Sequence, residues 1–143
     1  MGKSREDNRP VMQAGAVPYR VAAAGRIEVL LITNSSGRWI VPKGGIDPGN
    51  SAADQAVLEA YEEAGVVEAE IGGEIGFYDY LRGGRVHRVR LFAMLVRELA
   101  RDWDEKHRRE REWVALEEAI ERVAFEGLKR ALMGVSAGKR AAA

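Results

Sequence analysis

GGIDPGNSAADQAVLEAYEEAGV, residues Gly44 to Val66, is the stretch on which the reading of this chain turns. Ser51 offers a helix N-cap and Asp54 a capping-box partner, so a helix is predicted over 51–64. At about 100° per residue, Glu62 lies about 60° to one side of Glu59 and Glu63 about 40° to the other. All three carboxylates therefore share one sector. The opposite sector carries Ala53, Ala56, Val57, Ala60 and Ala64, small or apolar residues expected to pack closely on another element. Three negative charges on one helix face repel unless a cation offsets them, and carboxylate oxygens suit a hard divalent ion such as magnesium or manganese. A solvated acidic face is the plain alternative for any helix carrying E-x-x-E-E.

The segment in front of the helix bears on that choice. Trp39-Ile40-Val41-Pro42-Lys43-Gly44-Gly45 is a short apolar run ending in a proline, a lysine and a glycine pair. Strand, glycine loop and capped acidic helix then form one unit. Glycines let a phosphate or a metal approach the backbone closely, and Lys43 brings a positive charge beside the carboxylate face.

Length and composition fit a single domain of 143 residues, expected over 11–135 with flexible tails at 1–10 and 136–143. Basic and acidic residues balance at 22 each, so no global field favours nucleic acid or an anionic membrane. The absence of cysteine excludes disulfides, thiolate catalysis and a Cys-ligated zinc site. No apolar run approaches the roughly 20 residues of a membrane span, and MGKSREDNRP at the start lacks the apolar core of a signal peptide. A cytoplasmic protein, monomeric or homodimeric, is expected.

Strands are predicted over 11–21 and 26–33, with a turn at Asn34-Ser35-Ser36-Gly37 and a short strand at 39–41. Extended segments over 66–81 are expected to be interrupted by Gly72-Gly73, and Arg85 to Arg97 is the clearest strand. A charged loop over 101–109, a short strand over 112–115 and a helix over 116–133, broken near Phe125, complete an α+β fold.

With these residues in view, the chain resembles the Nudix hydrolases. The family's box, G-x5-E-x7-R-E-U-x-E-E-x-G-U with U a bulky aliphatic, is matched at Gly44, Glu59, Glu62, Glu63, Gly65 and Val66. It departs at Asn50, where the family has Glu, at Leu58, where it has Arg, and mildly at Ala60. The second half is similar to the diphosphoinositol polyphosphate phosphohydrolase branch, through His87-Arg88, Glu98, Trp103 and Arg111-Glu112-Trp113. The likeness spans roughly residues 11 to 125. It implies an α/β/α sandwich around a mixed sheet, and magnesium-dependent hydrolysis of a phosphoanhydride in a nucleoside, dinucleoside or inositol polyphosphate.

The same resemblance implies roles. Glu59 and Glu63 would ligate magnesium, or manganese, and Glu62 would take the proton from the attacking water, although spacing alone does not separate Glu62 from Glu59. Ser35, Ser36, Lys43, Gly44, Gly45, Arg85, His87 and Arg109 stand where the branch contacts phosphate. Gln13 stands where the branch carries a basic residue, which shifts the expectation from inositol pyrophosphates towards nucleotides. Arg85, Arg88 and Arg90 read equally well as a solvated strand face, Trp39 and Trp113 as packing, and Arg108, Arg109 and Arg111 as surface ion pairs with Glu110 and Glu112. Glu98 and Glu105 are further carboxylates that could approach the metal. Asn50 and Leu58 replace a Glu–Arg brace by neutral residues. On this reading the enzyme is slowed, and Asn50→Glu with Leu58→Arg should raise turnover. A domain that binds a nucleotide or a protein without hydrolysis is the alternative; a nucleic-acid-binding domain is disfavoured by the charge balance and the acidic helix.

Overall fold

Strand β1 (Val11–Val21) alternates between two cores, and that alternation builds the molecule. Ala14 and Ala16 face one core, Val17 and Tyr19 the other. The computed structural model describes residues 8–142, with side chains described through residue 135. After β1 come β2 (Ile27–Thr33), β3 (Trp39–Ile40), β4 (Lys43–Gly45), α1 (Ala52–Ala64), β5 (Val66–Arg82), β6 (Arg85–Leu99), β7 (Arg111–Ala115), α2 (Leu116–Arg122) and α3 (Glu126–Ala142). The described residues form one seven-stranded sheet, in the order β3-β2-β1-β6-β5, with β4 on β1 and β7 on β2. Only the β1–β6 ladder is parallel among these pairings, so the sheet is mixed.

The two faces differ in grain. On one, Ala56, Ala60 and Ala64 of α1 are fully buried against Ala14, Ala16, Leu30, Ile32, Phe92 and Met94. Alanine opposite alanine lets α1 approach the sheet closely, which is what small side chains allow. On the other, Leu116, Ala119, Leu128 and Leu132 of α2 and α3 pack on Val17, Val29, Leu31, Val89 and Leu91. The result is the expected α/β/α sandwich. Val57 departs from its expected place: it is exposed, because the face that packs is the stripe at 56, 60 and 64.

Two other expectations change. Gly72-Gly73 does not interrupt β5; the strand is continuous, and bulges around Ile71, Glu74 and Gly76 absorb the irregularity while it pairs along β6. The break near Phe125 is where expected, between α2 and α3, but α3 continues to Ala142, so 136–142 is helical. Residues 1–7 of the expected N-terminal tail lie outside the described residues, as does residue 143. No helix among the described residues is long and apolar enough to cross a membrane.

Candidate active site

Gly15 fixes where the glycine loop sits. A Cβ there would lie 2.7 Å from the Pro42 carbonyl oxygen and 3.0 Å from Lys43 Cβ, so β4 crosses β1 at the one residue able to accept it. Ala16 N–H donates to the Pro42 carbonyl at 3.0 Å, and Gly15 pairs with Lys43, Ala14 with Gly44. This places Gly44 against α1. A Cβ at Gly44 would stand 2.7 Å from Glu59 Oε2, which makes the glycine a steric requirement of the carboxylate it faces.

Helix α1 is held at both ends. Ser51 Oγ accepts from Asp54 N–H at 3.0 Å, as the N-cap reading expects. At the other end Gly65 takes φ +72°. Trp103 Nε1 donates to the Glu63 carbonyl at 3.0 Å, and Arg111 donates to the carbonyls of Ala64 at 2.8 Å and Ala100 at 2.6 Å. The Arg111 guanidinium also lies 3.8 Å over the Trp103 ring. Arg111 is thus a helix-end clamp rather than a surface ion pair. Periodicity offers no sign of that function, because its partners come from a distant segment.

The three helix carboxylates do gather, in unequal settings. Glu59 is 9% exposed and accepts from Gln55 Nε2 at 2.8 Å. Glu63 is 7% exposed, accepts from Lys43 N–H at 3.0 Å and lies 3.4 Å from Arg109 Nη2. Burial pushes its carboxyl up to about 8, partly opposed by Arg109 and the Lys43 N–H and reinforced by Glu59 and Glu105. Glu62 is half-buried, and its carboxyl is also raised, first by burial and then by Glu59, Asp104, Glu105 and Asp47. No described donor pairs with it. Glu63 is the more enclosed of the two because α1 carries it under the glycine loop, where Lys43 N–H meets it.

Arg109, expected at phosphate, is turned inwards. Its Nε donates to Glu105 at 2.6 Å and its Nη1 to the Thr33 carbonyl at 2.7 Å, besides the Glu63 contact. It braces the acidic cluster and brings Glu105 into it; Glu98, the other extra carboxylate considered, is exposed opposite Glu68 on the β5–β6 ladder.

Beside the carboxylates runs a groove of about 330 Å³ lined by Ser35, Ser36, Arg38, Lys43, Tyr80 and Arg82, among others. Ser35, Ser36 and Lys43 therefore meet as expected, with Gly44 and Gly45 next in the chain. Lys43 Nζ donates to the Tyr80 hydroxyl at 2.7 Å, and that hydroxyl donates to Gln13 Oε1 at 2.8 Å. Gln13, neutral as the sequence reading stressed, here orients the tyrosine that holds Lys43. His87 stacks on Tyr80 with ring centroids 5.1 Å apart, so it supports the groove from behind. Arg85 is exposed and donates to the Arg9 carbonyl at 2.8 Å, and it does not line the groove. Arg88 and Arg90 pair with Asp79 and Glu74 on the sheet surface. Arg38, Arg82 and Tyr80 were not singled out from sequence, since only the turn between β2 and β3 and the β5–β6 hairpin, folded together, make them neighbours. A larger groove of about 660 Å³ lies between β5 and α3, lined by Phe77, Asp79, Glu126 and Arg130 among others. The smaller groove is the one tied to the α1 carboxylates, because Lys43 lines it and donates its N–H to Glu63.

Comparison with known proteins decides the family. Residues 12–132 match the NUDIX domain. The chain belongs to the Nudix family. It is 41% identical over 97 residues to the Diphosphoinositol polyphosphate phosphohydrolase 3-alpha of Mus musculus, covering 65% of this chain and 58% of that protein. It is 38% identical over 97 residues to the Diphosphoinositol polyphosphate phosphohydrolase 2 of Homo sapiens, covering 65% and 52%. The chain thus spans little more than half the length of these relatives. Among solved structures it resembles an Ap4A hydrolase of C. elegans, with a TM-score of 0.75 and 28% identity over 90% of this chain and 98% of that one.

A Nudix site with these donors suits a hard cation. Besides burial, Glu59, Glu105 and Asp47 are close enough to raise the Glu62 carboxyl, and Glu59 and Glu105 that of Glu63. Arg109 pairs with Glu63 and Glu105 and Arg108 with Glu105, and the carboxylates are oxygen donors of the kind magnesium takes. Among the described residues no group of three or more His, Cys, Asp or Glu side chains is arranged to hold a metal ion, so a magnesium ion here would take one or two of these carboxylates and complete its shell with water and substrate phosphate.

The raised Glu63 carboxyl has a consequence for stability. Its folded-state value of about 8 lies above the ordinary 4.5, so folding retains a proton that the unfolded chain releases. The contribution is fully present below about 4.5 and is lost as pH rises through about 8, at a slope of at most about 1.4 kcal/mol per pH unit. Urea midpoints of the metal-free protein should therefore fall between pH 5 and 8, and Glu63→Gln should flatten that fall. An unchanged slope in Glu63→Gln would show that another group carries it.

Proposed function

We propose that this chain hydrolyses a phosphoanhydride bond in a nucleoside or dinucleoside polyphosphate, with an inositol pyrophosphate-like substrate as the other member of the class. One observation carries this: Lys43 joins the two halves of the site, its N–H bonded to Glu63 on the acidic face of α1 and its side chain lining a groove that Arg38 and Arg82 also make cationic. Glu59 and Glu63, with a backbone carbonyl from the Lys43–Gly44 loop, would hold magnesium, or manganese in its place. When bound, the cation supplies charge neutralisation at the phosphates and at the leaving oxygen.

This chain's own residues do the rest. Lys43, braced on Tyr80, and Ser35 and Ser36 hold the phosphate chain along the groove. Glu62, whose carboxylate has no partner among the described residues, takes the proton from the water whose oxygen bonds to phosphorus; the anhydride P–O bond breaks and the released phosphate carries the electron pair away. The substrate is a small molecule rather than nucleic acid. A cytoplasmic protein, monomeric or homodimeric, completes the reading, supported by the absence of cysteine and the balance of charge.

Because the groove runs from Lys43 to Arg82, activity should rise from nucleoside diphosphates towards dinucleosides with four or more phosphates. Product analysis across such a panel tests this, and a clear preference for ADP-ribose or a coenzyme A-type pyrophosphate would contradict it. One observation favours a second reading, a domain that binds a nucleotide or a protein without cleaving anything. Both oxygens of Glu63 already have protein partners, Lys43 N–H and Arg109. A wild type that binds the panel but releases no product would establish that reading instead.

A further inference from the structure

Gln55 is polar, 1% exposed, and lies one helical turn before Glu59. A buried amide is costly unless its hydrogen bonds are made, and here they are. Its Oε1 accepts from Asp47 N–H at 3.0 Å and from Asn50 Nδ2 at 2.9 Å, while its Nε2 donates to Glu59 Oε2 at 2.8 Å. The direction of this chain of bonds is fixed by chemistry. A backbone N–H can only donate, so the atom facing Asp47 must be the amide oxygen, and the atom facing Glu59 must be the nitrogen. Glu59 is thereby pinned between a donor on one side and the Gly44 backbone on the other, with no competing acceptor nearby on the amide.

We propose that Gln55, oriented by Asn50, is the positioning residue for Glu59, and that this neutral relay replaces the Glu–Arg brace expected at positions 50 and 58. The inference rests on the reading of Glu59 as a metal ligand and adds how this chain holds it. It also reverses one expectation from sequence. With Gln55 in place, Asn50→Glu sets a carboxylate against the amide oxygen, two acceptors facing each other. If the amide turned to relieve that, its oxygen would face Glu59 and its nitrogen would face Asp47 N–H. Restoring the family's residues at 50 and 58 is thus not expected to raise turnover while Gln55 remains; Asn50 and Gln55 act together. Leu58, half-buried beside them, is free of any polar function in this arrangement.

Manganese binding to the 143-residue chain without substrate, read by calorimetry or by the free-ion electron paramagnetic resonance signal, tests this alongside melting temperatures in the absence of metal. Gln55→Met keeps the volume and removes the amide. It should weaken manganese binding about 10–100-fold, as loss of an outer-shell partner does, without lowering the melting temperature in proportion. Asn50→Ala, at an exposed position, should weaken binding several-fold, and the double variant should be no weaker than Gln55→Met alone because both act through one relay. Wild-type affinity in Gln55→Met, with Glu59→Gln clearly weakened, would overturn this inference and leave the metal site standing. If Gln55→Met does not fold, wild-type affinity in Asn50→Ala overturns it. Binding by Glu59→Gln as tight as wild type would overturn the metal reading, and this inference with it.

Discussion

Glu62→Gln and Glu63→Gln are each expected to lower turnover at least about a hundredfold, the lower end of what a positioned acid–base group contributes. The two losses should differ in kind. Glu62 has no hydrogen-bond partner among the described residues, so its amide removes only the acceptor for the water proton and should leave metal affinity close to wild type. Glu63 accepts from Lys43 N–H and sits by Arg109 in a buried setting, so its amide removes a ligand charge and should weaken metal binding as well. Neither variant should unfold. Glu63→Gln, which no longer has a buried carboxyl to ionise, should be the more stable of the two at pH 8. Turnover within a few-fold of wild type in either would remove that residue from the mechanism.

Gly44→Ala should be nearly as damaging with no change of charge. The added methyl would stand 2.7 Å from Glu59 Oε2 and 2.5 Å from its Cδ, closer than real Cβ contacts allow. Either the Lys43–Gly45 loop or the Glu59 side chain must move. The loop is paired with β1 through Gly15, where there is no room to retreat, so the side chain is the element that yields. Overpacking of this kind costs about 1–3 kcal/mol, and displaced ligation should cost about 10–100-fold in metal affinity. Gly45→Ala makes the comparison, because nothing lies within 4 Å of a Cβ there. Equal manganese affinity in Gly44→Ala and Gly45→Ala would contradict the placement of Glu59.

How much of this was legible beforehand depended on where each residue's partners lie. The acidic helix was readable because its signals are local: the Ser51 cap, the stripe Ala56–Ala60–Ala64, and Gly65 at a left-handed C-cap. The sandwich followed from strands placed around the acidic helix and a second, C-terminal helix, as the family resemblance also implied, with the alternation at the start of β6 its clearest strand signal. β5 was misread because Gly72-Gly73 speaks for a break, while a long ladder with β6 overrides that preference through bulges. Arg109 was assigned to phosphate on position alone; its true neighbours, Glu105, Glu63 and the Thr33 carbonyl, come from three segments. Gln55 drew no attention because an isolated glutamine on an alanine-rich helix looks like surface, and only its burial beside Glu59 gives it a task. Arg111 and Trp103 were seen as marks of resemblance, but their work at the end of α1 needed the fold.

In the function proposed, carboxylates of α1 hold a divalent cation for cleavage of a polyphosphate in the adjoining groove. Incubation of the protein with diadenosine tetraphosphate, with magnesium and again with magnesium plus a chelator in excess, followed by chromatography of the nucleotides, tests it most directly. Mononucleotide products with magnesium, none with chelator, and recovery when magnesium is returned is the predicted result. Intact substrate under all three conditions, or the same products with and without chelator, would contradict the account.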